Sequence, residues 1–353
     1  MSLPSELDVV FERAPLDRAL EVLLGSSLVL DDAFALRPDA AGALRRRVEA
    51  LCDAAFVERD PGARLDLQRA LARLLALRTG ETVSEHELSS TLHALTITLG
   101  RRWQEHVLAS IELPGRPHAG ADFRAWFVGL VDAHPAVSHG LFPYLAEHAT
   151  AAELALFVEQ ERTIDLPFAD FLAQTQTGLA PRWKTEIARN YWDEMGRGRP
   201  QDDHAELFRR VMAAFALEAP ARDALLPGAL ACGNLCHLLA LHRVWRLRSI
   251  GCLGILELVV PEHIDKVVLA CERLGLDPVV DRYYRMHVVT DVDHAADWVD
   301  GLVAPAVDED PRVALEIARG ALLRLEACVD YYDELMALFA ARRSSQPAAG
   351  ARR

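Results

Sequence analysis

Leucine and alanine recur at three- and four-residue spacings along almost the whole chain, and this rhythm constrains the fold more than any other feature. In ALRRRVEALCDAAF (43–56) and RLDLQRALARLLALR (64–78) the apolar residues fall on one face of a 3.6-residue helix, with arginines and acids between them. Alternating runs of β-branched residues, the mark of a strand, are almost absent; the nearest rival, TLHALTITLG (91–100), sits inside a longer helical pattern. Punctuation agrees. Pro61-Gly62 precedes a helix, Thr79-Gly80 follows one, and Ser84 with Glu87 three residues on reads as a capping box. The spacing predicts an all-α protein.

The densest Pro/Gly stretch outside the tail is LPGRPHAGAD (113–122), which suggests a boundary. Residues 1–118 then form an N-terminal helical segment of about four helices, and 119–341 a larger domain of about eight. Residues 342–353, ending in SSQPAAGARR, are expected to be disordered. With 52 acidic and 38 basic residues the net charge is −14, which argues against a nucleic-acid or anionic-membrane partner. The most apolar region, 224–260, is interrupted by His237, His242, Arg243, Arg246, Arg248 and Glu257, too many polar groups for a membrane span. The N-terminus has no basic flank leading into an apolar stretch. The expected location is therefore cytoplasmic. The six cysteines are scattered, and Cys232, Cys236 and His237 read as packing within an apolar helix, since a second pair of zinc ligands is missing.

Four segments carry polar residues that core packing does not require. In RYYRMHVVTDVDHAADWV, His287, Asp291 and His294 fall within an arc of about 60° on a helix, one stripe over two turns. Two imidazoles and a carboxylate on one stripe suit a divalent metal with mixed N/O ligands, although such a stripe read alone is more often a solvated polar face. Glu257 is the only charged residue between Arg248 and Glu262. A buried carboxylate there needs a cation or donors to offset its desolvation; a salt bridge to Arg243–Arg248, or an outward-facing position, would also serve. In ARNYWDEMGRGRPQDDHAELFRRVM (188–212) a helix ends near Met195 and restarts with Asp202 or Asp203 as its cap. Glu194 and His204 meet only if the turn folds back, and a structural helix–helix turn is the plainer reading. ELALFVEQERTIDLPFADFLAQ (153–174) reads as one amphipathic helix bearing Glu159 and Glu161, which alone would be surface residues.

In their order, FVEQE (157–161), NYWDEMGRGRPQDDH (190–204), GILE (254–257) and YYRMHVVTDVDH (283–294) resemble the haem-oxygenase-like di-iron oxidases, also called iron-containing redox enzymes. The resemblance covers about 200 residues, roughly 140–340. It implies a haem-oxygenase-like helical bundle with an additional N-terminal helical segment, which in some similar enzymes serves dimerisation, so a homodimer is among the expectations. By position it implies seven metal ligands: Glu161, Glu194, His204, Glu257, His287, Asp291 and His294. Glu161 is preferred to Glu159 because members of the family tend to show a Gln-Glu pair, here Gln160-Glu161. Two Fe ions (Fe2+/Fe3+), O2 as co-substrate, a small organic substrate and an external electron donor are further implied. So is N-hydroxylation, desaturation or C–C cleavage as the reaction, with no catalytic residue beyond the ligands. Phe157, Tyr191, Trp192 and Tyr283 flank these ligands and are candidates for the cavity wall or for the core. The alternative from another class is a non-catalytic helical binding or scaffold module of the same fold.

Overall fold

A computed structural model describes residues 5–111, 113, 119–217 and 224–345, with the side chains of 289–293 excepted. Among the described residues all regular structure is helical and no strand occurs, as the periodicity predicts. The chain divides into two compact units, residues 1–112 and 113–353.

The first unit contains α1 (Leu16–Leu24), α2 (Leu30–Leu36), α3 (Pro38–Phe56), α4 (Pro61–Thr79) and α5 (Ser90–Ser110). It has one helix more than expected, because α2, with seven residues, is too short to show a period. Its helix starts are held by carboxylates and hydroxyls. Asp60 caps α4 and Ser89 caps α5, while Asp66 of α4 accepts from the backbone N–H groups of Leu16 and Asp17 at the start of α1. Ser84 and Glu87 do not form the expected capping box. Ser84 instead caps a single 3-10 turn, Glu85–Leu88, by accepting from His86 N.

The second unit comprises α6 (Gly120–Ala133), α7 (Leu141–Glu147), α8 (Ala151–Asp165), α9 (Phe168–Thr175), α10 (Pro181–Glu194), α11 (His204–Ala214), α12 (Pro227–Leu241), α13 (Arg246–Leu274), α14 (Pro278–Trp298), α15 (Ala304–Glu309) and α16 (Ala314–Ser345). The predicted single helix over 153–174 is two. Pro167 has no N–H to give and disfavours helical geometry in the residue before it, so α8 stops at Asp165 and α9 begins at Phe168. The capping box of this unit lies at the start of α8, between Thr150 and Glu153. α16 runs on to Ser345, past the expected boundary at 341, and the rest of the expected disordered tail lies outside the described residues.

Two long helices, α13 and α16, form the centre. Their approach is set by glycines: a Cβ at Gly251 would overlap the carbonyl oxygen of Ile317, and one at Gly320 the carbonyl oxygen of Arg248. α14 lies along α13 and is tied to it by Trp298. The indole N–H of Trp298 donates to Ile250 O at 3.0 Å, and its ring occupies the space that a side chain at Gly254 would need. α13 continues through Pro261, which has no N–H to give to the carbonyl of Glu257. The chain after α14 makes one π-helical turn, Val299–Val303. No described helix is long and apolar enough to cross a membrane.

Candidate metal centre

α8, α10, α13 and α14 each bring polar side chains to one cavity inside the second unit. Glu161, Glu194, Glu257 and His287 all line it, with Asp165, Tyr283 and Arg324 beside them. The cavity volume is about 70 Å³. Phe157, Ile164, Phe168, Leu256 and Val260 supply apolar wall. Of the flanking aromatics, Phe157 and Tyr283 therefore reach the cavity, whereas Tyr191 and Trp192 line a separate groove on the outer side of the α10–α11 turn.

The turn after α10 does fold back. Gly196 adopts φ +62°, a left-handed conformation that costs other residues energy. A Cβ there would lie 2.6 Å from the Asp202 carbonyl carbon and the Asp203 nitrogen. Asp203 then caps α11 by accepting from Glu206 N. His204, the first residue of α11, consequently faces the last residue of α10, with Nδ1 2.9 Å from Glu194 Oε2. Burial works to raise the Glu194 pKa, but the charges of His204, His287 and His294 outweigh it and hold the carboxyl below its ordinary value. The His204 ring lies against the His287 ring at a centroid separation of 4.7 Å.

On α14, His287 Nδ1 lies 2.8 Å from the Tyr283 carbonyl oxygen, an acceptor, and so carries the proton there. Burial, reinforced by His204, depresses the His287 pKa to about 4, which leaves a neutral imidazole at neutral pH. Two turns further along the stripe, His294 touches two carboxylates: Nε2 is 3.1 Å from Asp193 Oδ2, and Nδ1 is 3.6 Å from Glu257 Oε2. Asp193 is gripped in turn by Arg197, with Nε donating to Oδ1 at 2.5 Å. Asp291 lies between the two histidines, and its side chain falls outside the described residues.

Glu257 is only 2% exposed. The arginines of 243–248 do not neutralise it; its Oε1 accepts instead from Asn190 Nδ2 at 2.8 Å. Glu159 and Glu161 part company. Glu159 is buried in an ion pair with Arg162 (2.7 Å), whereas Glu161 faces the cavity. Burial pushes the Glu161 carboxyl up to about 7 against the opposing pull of the Tyr331 hydroxyl and the Arg324 charge. Two residues escaped the sequence reading. Asp165 lies one helical turn after Glu161, and burial with the neighbouring charges of Glu161 and Glu194 raises its pKa well above the ordinary value. Asn190 lies one turn before Glu194. In both cases the signal was a four-residue offset from a residue already singled out.

Six of the seven expected ligands thus gather at one place: four line the cavity, His204 contacts two of them, and His294 contacts Glu257. The chemistry of this set suits a divalent first-row metal, since carboxylate oxygens and imidazole nitrogens are combined. His287 and His294 each commit one ring nitrogen to an outer acceptor, the arrangement that orients a metal-ligating histidine. In the present packing these groups pair with one another, and among the described residues no three His, Cys, Asp or Glu side chains surround a point as metal ligands would. The six cysteines are free and buried, with Cys236 and Cys252 in sulfur–sulfur contact at 3.8 Å and His237 edge-on to Phe171, in keeping with a packing role.

No curated protein matches the chain. Residues 155–328, which contain all seven expected ligands, match the family model described as iron-containing redox enzyme. The all-α unit that carries them is accordingly haem-oxygenase-like, and its residues 155–328 are those of the iron-containing redox enzymes, a family of oxidoreductases.

Proposed function

We propose that the protein is a non-haem di-iron oxidase or oxygenase that uses O2 to oxidise a small organic substrate by N-hydroxylation, desaturation or C–C cleavage. The observation that carries this reading is the convergence of Glu161, Glu194, Glu257 and His287 on one interior cavity, with His204 and His294 attached to its rim. Buried carboxylates at this density repel one another and lose hydration, and the raised pKa values of Glu161 and Asp165 record that cost. Cations between them offset it. Glu161, Glu194, His204, Glu257, His287, Asp291 and His294 would hold two iron ions, which supply the O2 chemistry when bound. The rest falls to the chain. Asn190 orients Glu257, Asp193 and the Tyr283 carbonyl orient His294 and His287, and the apolar wall keeps water from the reacting groups. Electrons for turnover come from an external donor.

Metal analysis after anaerobic loading with Fe(II) tests the proposal. The expected result is two irons per chain and an absorption band in the visible on admission of O2. Glu257→Gln and His287→Ala should each lose at least one iron, with a loss in affinity of about 10- to 100-fold or more. A chain that stays metal-free, or whose iron content ignores both substitutions, would instead be the non-catalytic module of the same fold.

A further inference from the structure

Arg324 projects from α16 into the same cavity, and nothing in the ligand set accounts for it. The residue is only 8% exposed, its Nη1 is buried without a hydrogen-bond partner, and no described carboxylate forms an ion pair with it. Glu161 and Asp165 feel its charge without closing on it. Its other neighbours are Cys232, Cys236, Cys252 and Cys328; a hydrogen bond from Cys232, ahead of the Arg324 charge, holds the Cys328 thiol down at about 6, but sulfur is a weak acceptor and leaves the guanidinium fork without a bidentate partner. A guanidinium left unmatched inside a protein is costly, and its planar fork fits a carboxylate better than any other small group.

We infer that Arg324 is a specificity-determining residue, the anchor for the carboxylate of a small organic acid whose apolar body lies along Phe157, Ile164, Phe168, Leu256 and Val260. This rests on the proposed function for the identity of the reacting centre, but the anchor itself needs no metal. Under that function the carboxylates of the cavity are matched by iron, and the guanidinium is left to be matched by the substrate. The cavity volume of about 70 Å³ is room for several water-sized groups and therefore for a short acid.

Titration of the protein, metal-free and Fe(II)-loaded, with straight-chain carboxylates from acetate to octanoate and with their primary amides tests the assignment by calorimetry. At least one acid should bind both forms, and its amide should bind at least about tenfold more weakly. Arg324→Gln should weaken the acid by about tenfold or more and leave the amide unchanged, Arg324→Lys should recover part of the loss, and Cys328→Ala should have no effect. Both Arg324 variants should keep the iron content of the wild-type protein. The inference is overturned if no acid binds, if acid and amide bind alike, if Arg324→Gln binds the acid as the wild type does, or if it loses iron. The last result would make Arg324 a charge-balancing member of the metal centre. Should Arg324→Gln not fold, the acid–amide comparison on the wild-type protein still decides. A wild-type chain that binds the acid but no iron would defeat the proposed function and leave the anchor standing.

Discussion

At the scale of single residues the site depends on atoms that are not ligands. Gly196 lets α10 and α11 double back so that Glu194 and His204 meet. Gly196→Ala combines a left-handed backbone with a Cβ pressed onto the Asp202–Asp203 peptide, and should cost about 1–3 kcal/mol while moving His204 away. Thermal unfolding together with iron content reads both effects; a variant that melts and loads as the wild type does would show that the turn has slack. His263 makes a second, pH-dependent contribution. It is stacked on Phe142 with Nε2 at 2.9 Å from Val137 O, and burial lowers its pKa from 6.5 to about 4. Between those values the unfolded chain binds the proton and the folded chain does not, so stability falls as pH drops from about 6.5 toward 4, by at most about 3 kcal/mol from this group. His263→Phe should flatten the difference between denaturation at pH 7 and pH 5, and parallel curves for the two proteins would refute the assignment. The residues that the sequence exposed were those out of place for their surroundings, Glu257 in an apolar run and the histidine stripe of α14. Asp165 and Asn190 stayed hidden because a lone polar residue on an amphipathic helix looks like surface until its neighbours are in space.

At the scale of elements, the glycine crossing of α13 and α16 fixes the centre of the unit. Gly251→Ala places a methyl group on a backbone carbonyl that cannot turn aside, and should destabilise by about 3 kcal/mol or more. Chemical denaturation measures this, and a loss below about 1 kcal/mol would mean that the helices part at little cost. Helix type was legible throughout, because long apolar periods leave no alternative. Helix number was not. The short α2, α7 and α15 carry too few residues to show a period, and the break at Pro167 was masked by an apolar pattern that continues across it.

For the whole molecule, every described residue of the cavity and the entire family match lie within the second unit. A chain beginning at residue 113 should therefore retain the full iron stoichiometry of the intact protein, and its loss in a folded fragment would show that the first unit contributes to the centre. Trp298 has a consequence at this scale. Because its indole pins α14 to α13 just before Glu257, the span between Glu257 and His294 belongs to the scaffold and not to whatever is bound between them. Under the proposed function, a site with a fixed span would discriminate by ionic radius, choosing among divalent ions before any redox property of the metal came into play.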